Sequence, residues 1–325
     1  MTTLLITRPL PAPVADELRR MFDVTQRDAA APLTSAEAAE ALGAHDAILA
    51  TVGDAFTADA FAAHPMPRTR LIANFGAGTE HIDLEAAKRR GIMVTNTPGV
   101  FTDDTADLTM ALIIGVPRRM REGVSLVRSG EWTGWAPSAQ LGRKLGGKCL
   151  GIVGMGRIGQ AVAHRARAFG LDVIYHNRKR LPEAAERMLG AQYVADLDTL
   201  VAKADILSLH CPATPETHHL MDARRIAMMP RGASLINTAR GELIEQDALI
   251  EALESGHLAG AGLDVYPDEP HVDPRLLAHP NVMTLPHIGS ATVEGREASG
   301  EKIIANIRFW MDGHRPPDQV LIGFS

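Results

Sequence analysis

The sequence predicts an α/β protein with two doubly wound parallel sheets. Apolar runs of strand length alternate along most of the chain with stretches whose apolar residues recur at helical spacing. One of these runs leads into a glycine-rich turn that is followed by a helix and a second strand. The length of 325 residues is sufficient for two domains that each bury their own core.

The pattern of the first 98 residues indicates a small α/β domain. Strands are predicted at 3–7, 47–52, 71–75 and 93–96, and helices at 13–22, 35–41 and 84–90. Segment 51–54 follows the second of these strands, at the edge where open α/β sheets place ligand loops. Residues 103–121 are predicted to form one long helix. Because apolar residues occupy nearly all its faces, we expect this helix to be buried on both sides.

The glycine-rich turn, Gly154-Met155-Gly156-Arg157-Ile158-Gly159, follows the apolar run 149–153 and precedes a predicted helix over 160–169. A further strand follows at 173–175. This is the context that a dinucleotide-binding fingerprint requires. Gly154 permits the tight turn, Gly156 lets the backbone approach a pyrophosphate, and Gly159 lets the helix pack closely on its strand. The first turn of the helix then offers free N–H groups to the phosphates.

The end of the next strand indicates which dinucleotide binds. An acidic residue is expected there to bind a ribose 2′-hydroxyl, but residues 176–180 read HNRKR and contain no carboxylate. A guanidinium such as that of Arg178 could instead bind a 2′-phosphate with two charge-assisted hydrogen bonds. The sequence therefore predicts a preference for NADPH, with NAD as the second candidate. The alternative is that 178–180 form only a solvated basic turn.

Strands and helices continue to alternate after this unit. Strands are predicted at 193–194, 206–209, 234–237, 260–265 and 282–285, and helices at 197–202, 222–228, 246–255 and 273–278. We therefore predict a nucleotide domain over 99–288. A final helix, 299–311, returns the chain to the first domain, which comprises 1–98 and 289–325.

Composition excludes several classes of partner. Hydrophobic residues make up 46% of the chain and charged residues 22%, which is typical of a soluble globular protein. A net charge of −6 provides no electrostatic footprint for nucleic acid or an anionic membrane. The N-terminus lacks the features of a signal peptide, and no apolar run reaches the length of a membrane span. Cys149 and Cys211 lie in apolar runs and are predicted to be reduced core residues, so we expect a cytoplasmic location.

Three polar residues follow strand ends of the nucleotide half, and so lie on its ligand edge: Arg240, Glu269 and His287. An imidazole titrates near neutrality and suits proton transfer to a carbonyl. A carboxylate bonded to its far nitrogen would fix the tautomer and favour the protonated form. A guanidinium matches a substrate carboxylate bidentately. Each of the three could be structural by itself, but together they predict a catalytic site.

Four segments of the chain resemble the D-2-hydroxyacid dehydrogenases: GIVGMGRIGQAVA, LINTARGELIEQDALIEAL, GAGLDVYPDEP and TLPHIGSAT. The resemblance extends over essentially the whole chain. Within that family the chain is most similar to the glyoxylate/hydroxypyruvate reductases, including the basic HNRKR turn. The resemblance implies two Rossmann-like domains with the active site in the cleft between them, and a homodimer formed by the nucleotide domains. It also implies closure of the cleft on hinges near Pro98–Gly99 and Gly289.

The resemblance also assigns residues. Arg240, Glu269 and His287 match the catalytic triad of the family. Substrate would bind to the backbone amides of Ala77 and Gly78, beside Val52, with Trp135 supplied by the dimer mate. Asp264 would bind the nicotinamide carboxamide and Thr105 would lie near the ring. The remaining predicted cofactor contacts are Gly154, Gly156, Arg157, Ile158, Gly159, Asn177, Arg178, Lys179, Cys211, Pro212, Thr217, Thr238, Ala239 and Gly289.

The activity implied is the reduction of a small 2-keto acid, glyoxylate or hydroxypyruvate, to a D-2-hydroxy acid, with His287 as the proton donor. Sugar-derived 2-keto acids are an alternative substrate class. A different class of protein, the dinucleotide-sensing co-repressors, shares the fold and the triad, although its members carry an acid at the position of Asn177. A metal site at His210, Cys211, His218 and His219 is disfavoured because the spacing fits no standard zinc pattern and prolines interrupt it.

Overall fold

A computed structural model describes residues 2–321 of the chain, which divides into two compact units. The first comprises Met1–Phe101 and Ala291–Ser325, and the second comprises Thr102–Ser290. These divisions fall a few residues beyond the predicted domain boundaries at 98/99 and 288/289. Met1 and 322–325, which belong to the predicted first domain, lie outside the described residues.

The first unit contains a parallel five-stranded sheet in the order β2-β1-β3-β4-β5. This is a doubly wound order, as predicted, with a switch point between β1 and β3. Its strands are β1 (Thr3–Ile6), β2 (Asp23–Gln26), β3 (Ala47–Thr51), β4 (Leu71–Phe75) and β5 (Met93–Thr95). Its helices are α1 (Ala12–Met21), α2 (Ser35–Ala44), α3 (Ala58–Ala63), α4 (Leu84–Arg89) and, from the C-terminal segment, α13 (Val293–Met311).

The last helix completes the core of this unit. Ile303 and Ile307 are fully buried and pack in one cluster with Leu4 and Ile6 of β1. Thr292 caps the helix by accepting a hydrogen bond from the amide of Gly295 at 2.9 Å. The helix therefore begins at Val293, earlier than the predicted start at 299.

The second unit contains a parallel seven-stranded sheet in the order β12-β11-β10-β9-β6-β7-β8. Its strands are β6 (Cys149–Val153), β7 (Asp172–His176), β8 (Ala191–Tyr193), β9 (Ile206–Leu209), β10 (Ala233–Asn237), β11 (Leu258–Leu263) and β12 (Val282–Thr284). Its helices are α5 (Thr102–Gly115), α6 (Met120–Ser129), α7 (Arg157–Ala168), α8 (Glu183–Leu189), α9 (Leu197–Lys203), α10 (Ala223–Met228), α11 (Gln246–Glu254) and α12 (Pro274–Ala278).

Strand order reverses in this sheet between β6 and β9, and the glycine-rich turn follows β6 at that point. Open α/β sheets bind ligands outside the carboxyl ends of their strands at such a switch point. Because all the strands are parallel, the residues that follow β10, β11 and β12 lie at the same edge. The topology therefore gathers the glycine turn and the three predicted catalytic residues at one edge of one sheet.

The prediction of a single buried helix over 103–121 is wrong. Helix α5 ends at Gly115, and α6 starts only at Met120 after Arg119 in a left-handed conformation. Pro117 explains the break, since it lacks an N–H and disfavours helical geometry at the residue before it. None of the residues of α6 is buried, so the expectation of burial on both sides fails there. No helix among residues 2–321 combines the length and apolar character needed to cross a bilayer.

Candidate active site

The three glycines of the glycine-rich turn have different surroundings, and only Gly156 faces open space. Gly154 adopts a left-handed φ of 97°, and a Cβ on it would lie 2.6 Å from the amide nitrogen of Cys211. A Cβ on Gly159 would clash with the carbonyl oxygen of Gly154. At Gly156, in contrast, a Cβ would meet no atom within 4 Å. The open side lies at the N-terminus of α7, where unpaired amides and the helix dipole favour a phosphate.

The end of β7 is connected directly to this turn. The Oδ1 of Asn177 accepts a hydrogen bond from the amide of Met155 at 3.3 Å. Arg178 and Lys179 are exposed. Arg180 is engaged elsewhere, because its guanidinium binds both carboxylate oxygens of Glu186 at 2.9 and 2.8 Å. Of the three basic residues, Arg178 and Lys179 are therefore the ones free of a strong ion pair.

The loop after β9 lies close to the same turn. His210 donates its backbone amide to Val153, and burial lowers the pKa of its imidazole to about 4, so the ring is neutral. Burial likewise raises the pKa of the Cys211 thiol to about 11. Thr217 closes the loop by donating its hydroxyl to the carbonyl of Pro212 at 2.7 Å. Cys211 and Cys149 are both free cysteines that pack, partly buried, against the same core cluster.

Asp264 anchors the segment that carries His287. Its carboxylate is 1% exposed and accepts hydrogen bonds from the amides of Ile288 at 2.8 Å and Gly289 at 2.7 Å. Burial raises the pKa of Asp264, although these two amides oppose the effect. The carbonyl of Gly289 in turn accepts a hydrogen bond from the hydroxyl of Thr105 at 2.9 Å. The structure thus brings together three predicted cofactor residues that lie far apart in the sequence.

A second contact ties α5 to the end of β10. The hydroxyls of Thr109 and Thr238 lie 2.8 Å apart, and the hydroxyl of Thr109 also donates to the carbonyl of Thr105. Sequence reasoning missed Thr109. Its position one helical turn after Thr105 was the available signal.

Glu269 and His287 form a hydrogen-bonded pair. The Nδ1 of His287 lies 2.7 Å from the Oε2 of Glu269, while the Oε1 of Glu269 accepts the amide of Tyr266 at 3.0 Å. His287 has a left-handed φ of 54°, which is uncommon for a residue other than glycine. Its amide is held by the carbonyl of Asp264 at 2.9 Å. Such strain, kept in place by surrounding bonds, is a feature of functional sites.

The charge on Glu269 is stabilised by its surroundings. Burial would raise the pKa of this carboxyl group, but the hydrogen bond and charge of His287, the amide of Tyr266 and the charge of Arg240 together lower it. Glu269 is therefore ionised at neutral pH. An ionised carboxylate at Nδ1 places the exchangeable proton of the imidazole on Nε2.

Arg240 follows β10 in an extended conformation with φ of −147°. Its Nη1 donates to the carbonyl of Ala239 at 2.6 Å, and its own carbonyl accepts the side-chain amide of Asn237 at 2.7 Å. Gly241 must lack a side chain, because a Cβ there would clash with the backbone of Tyr266. Asn237 and Gly241 were not identified from the sequence, since they act by holding backbone rather than by their own chemistry.

In the first unit, the loop after β4 presents two unused amides. The carbonyls of Gly76 and Gly78 accept hydrogen bonds from the side chain of Asn74, and the carbonyl of Ala77 accepts one from Asn96 at 2.7 Å. Within residues 2–321, neither the amide of Ala77 nor that of Gly78 donates to an acceptor. Consecutive free N–H groups form a nest that suits an anion. Asn74 was missed because it is buried and acts through the backbone of the loop.

Two further predicted residues are exposed. Val52 is 45% exposed, and its loop is fixed by Asp54, whose buried carboxylate accepts the Thr51 amide at 2.7 Å and the Thr7 hydroxyl at 2.6 Å. Trp135 is 84% exposed, so little of its side chain packs against the described residues. In the part of the chain that the structure describes, no group of three or more His, Cys, Asp or Glu side chains could hold a metal ion.

Comparisons with known proteins show the family to which the chain is similar. Residues 110–289 match the family described as D-isomer specific 2-hydroxyacid dehydrogenase, NAD binding domain. A glyoxylate reductase of Thermococcus litoralis is 49% identical over 258 residues, which cover 78% of this chain and 77% of the relative. A solved structure from Polaromonas sp. has a TM-score of 0.93 and 41% identity, and the match covers 99% of this chain and 100% of the other.

The comparison also includes a structure with ligands. It is an NADPH-dependent glyoxylate/hydroxypyruvate reductase of Sinorhizobium meliloti in complex with NADP and malonate, with a TM-score of 0.86 and 31% identity. The match covers 98% of this chain and 96% of that protein.

Proposed function

The chain belongs to the D-isomer specific 2-hydroxyacid dehydrogenase family, and from this premise we propose that it reduces glyoxylate and hydroxypyruvate to D-2-hydroxy acids with a preference for NADPH. The observation that carries the proposal is the hydrogen-bonded pair of Glu269 and His287 at the same sheet edge as the glycine-rich turn. We assign cofactor binding to the second unit, and the first unit contributes substrate-binding amides.

The residues of the second unit fit a dinucleotide. The open face of Gly156 and the first amides of α7, from Arg157 and Ile158 onward, would hold the pyrophosphate. Arg178 and Lys179 would hold a 2′-phosphate, which no carboxylate of residues 176–180 would repel. When bound, the reduced cofactor supplies a hydride. The remaining proposed contacts are Thr105, Gly154, Gly159, Asn177, Cys211, Pro212, Thr217, Thr238, Ala239, Asp264 and Gly289.

His287 supplies the proton in this proposal. With Nδ1 bonded to Glu269, the imidazole is oriented so that Nε2–H can donate to the keto oxygen of the substrate. Glu269 stabilises the imidazolium form by its negative charge and holds the ring in one orientation. General acid catalysis of this kind contributes roughly 10²–10⁴-fold to the rate.

In this proposal the substrate is positioned by a side-chain guanidinium and by backbone amides. Arg240 would bind the carboxylate of the 2-keto acid through its guanidinium, with the keto oxygen toward His287. The free amides of Ala77 and Gly78 form an anion-binding nest that would hold the same carboxylate. Val52 would close the site to larger substituents, which favours small 2-keto acids over sugar-derived ones.

A panel of 2-keto acids assayed with NADPH and with NADH tests the proposal. We expect kcat/KM to be highest with glyoxylate and hydroxypyruvate, and to be roughly 10–100-fold higher with NADPH than with NADH, the range expected for one charged contact. Chiral analysis of the product should give the D isomer. A protein that binds NADPH by calorimetry but oxidises none of it with any 2-keto acid would instead be a dinucleotide sensor.

We also propose that the protein is a homodimer through α6 and the arm that follows it, residues 131–144. All residues of this arm are exposed, and α6 has no buried residue. Large apolar side chains that remain exposed on this surface are Met120, Val124, Val127, Trp132, Trp135 and Leu141. An apolar surface of this extent indicates an interface. Trp135 would be covered there by the second copy and would contact the substrate of that copy.

A further inference from the structure

Arg296, in the first unit, has no role in the proposed function. Arg296, on α13, is half-buried, and burial lowers the pKa of its guanidinium. No carboxylate within residues 2–321 forms an ion pair with it. By comparison, the half-buried Arg27 of the same unit is paired with Glu37 at 3.0 Å. Partial burial of a cation without a nearby anion costs desolvation free energy, unless other groups or a ligand offset that loss.

Two aromatic rings supply part of that compensation and place the guanidinium. Its central carbon lies 5.8 Å from the ring centroid of Phe75 and 5.8 Å from that of Phe101. Aromatic faces attract a guanidinium but do not use its N–H donors, which point outward in its own plane. Phe75 is the last residue of β4 and directly precedes Gly76-Ala77-Gly78, so the ring contact puts Arg296 at the strand end from which this loop starts.

We propose that Arg296 recognises the substituent at C3 of the 2-keto acid and selects substrates that carry an oxygen there. The inference rests on the proposed function. A 2-keto acid has three groups around C2, and the carboxylate and keto oxygen already have partners in Arg240, the loop amides and His287. For the third group the proposed function gives only the apolar contacts of Val52 and the second copy's Trp135, and no polar partner. A guanidinium with free donors at the same loop matches a hydroxyl or carboxylate oxygen at that position through a charge-assisted hydrogen bond.

The matched substrates are hydroxypyruvate and pyruvate, which differ only by the C3 hydroxyl. We expect wild type to prefer hydroxypyruvate, and we expect Arg296→Met to lower the ratio of the two kcat/KM values by roughly 10–100-fold, mainly through the KM for hydroxypyruvate. Methionine keeps an apolar contact with both rings. Arg296→Lys, which keeps the charge but loses the planar fork, should give an intermediate ratio. Arg308→Met, on the same helix and paired with Glu17 at 2.7 Å, is the control and should leave the ratio unchanged.

The outcomes separate a recognition role from a structural one. If Arg296→Met lowers kcat/KM for both substrates equally, or lowers only the melting temperature, Arg296 merely supports the fold and the inference is overturned. Should the methionine variant fail to fold, the ratio in Arg296→Lys decides in the same way. Failure of the proposed function is recognised earlier, because wild type would then turn over no 2-keto acid, glyoxylate included, and the inference would fall with it.

Discussion

At the scale of single residues, the Glu269–His287 pair depends on groups that take no part in the proposed proton transfer. The amide of Tyr266 donates a hydrogen bond to one carboxylate oxygen of Glu269, and the other oxygen bonds to His287. Asp264 holds both ends of the turn around His287, through its carbonyl and its carboxylate. Pre-organised groups of this kind cost no rearrangement at the moment of reaction.

Replacing His287 by glutamine should remove turnover and leave cofactor binding intact. We expect kcat to fall by roughly 10²–10⁴-fold, because the proton donor is lost. The dissociation constant for NADPH, measured by calorimetry, should stay within about twofold of wild type, since the glycine turn is untouched. Normal turnover in this variant would remove His287 from the proposed role.

Replacing Glu269 by glutamine should remove the fall of the reduction rate at low pH. The pKa of Glu269 is lowered in the folded protein, so its carboxylate is ionised beside His287 across the neutral range and loses its charge only as pH falls through this lowered pKa. Glutamine does not titrate, so the variant should be slower than wild type but should keep a constant kcat/KM toward low pH. Profiles of kcat/KM from about pH 3 to 9 measure this difference. A variant whose kcat/KM falls at low pH in the same way as that of wild type would contradict the prediction.

Replacing Arg178 by alanine should weaken the binding of NADPH but not the binding of NADH. Loss of a charged contact to the 2′-phosphate should raise the KM for NADPH by roughly 10–100-fold, while the KM for NADH changes by less than about twofold. Arg187→Ala is a matched control, because Arg187 is also exposed but pairs with Glu183 on α8. If the KM for NADPH and the KM for NADH changed equally, residues 178–180 would form only a solvated turn.

The candidate site residues selected from the sequence have chemistry of their own, and several residues that act only on backbone were not selected. Glu269 and His287 stand after strand ends as titratable groups, and the structure brings them into contact. Asn74 and Asn237 were not predicted, because holding a loop carbonyl has no residue-type signature. The engagement of Arg180 by Glu186 was also invisible in sequence, since it depends on where α8 lies.

At the scale of elements, the apolar strands and the helices between them followed from periodicity, and the polar elements did not. The strand β2, Asp23–Gln26, is an edge strand with alternate exposed residues, and its polar sequence gave no strand signal. The break after α5 was missed because the apolar run 108–114 outweighed Pro117 in the prediction. The strand order 8-7-6-9-10-11-12 places the glycine turn at a switch point, and only the pairing in three dimensions reveals it.

One element-scale contact gives a stability prediction. Hydrogen bonds from Arg180 and then Tyr175 lower the pKa of Glu186 from 4.5 to about 2. A carboxyl group with a lowered pKa in the folded state contributes stability above its unfolded pKa, and that contribution is lost as pH falls through the folded value. The melting temperature of wild type should therefore exceed that of Glu186→Gln at neutral pH, and the difference should shrink between pH 4.5 and 2. A difference that stays constant across this window, measured by circular dichroism, would contradict the assignment.

At the scale of the whole molecule, six of the exposed large apolar side chains among the described residues lie within one continuous stretch of the second unit, α6 and the arm that follows it. Helix α6 carries Met120, Val124 and Val127 at the spacing of a single helix face, and all three are at least half exposed. The arm beyond it adds Trp132 and Trp135. A surface this apolar is normally covered in solution.

Light scattering should therefore give wild type a mass of about twice 34.9 kDa. The double variant Val124→Asp, Val127→Asp should be monomeric, because it places two charges in the proposed interface. Met66→Asp is the control, since Met66 is 92% exposed in the first unit and outside that surface. If Trp135 contributes to the site of the second copy, the monomeric variant also loses activity. A wild-type protein that is monomeric at assay concentration would overturn the proposal.

The first unit is built from both ends of the chain, and this affects its folding during translation. The sheet of the first unit is complete by Thr95, yet its core needs Ile303 and Ile307, which are translated only after all of Thr102–Ser290. We therefore expect the sheet of the first unit to keep an uncovered apolar face during synthesis until α13 emerges, and we expect the second unit, which is contiguous in sequence, to fold first. Nascent chains stalled before 291 should accordingly recruit chaperones through their N-terminal portion.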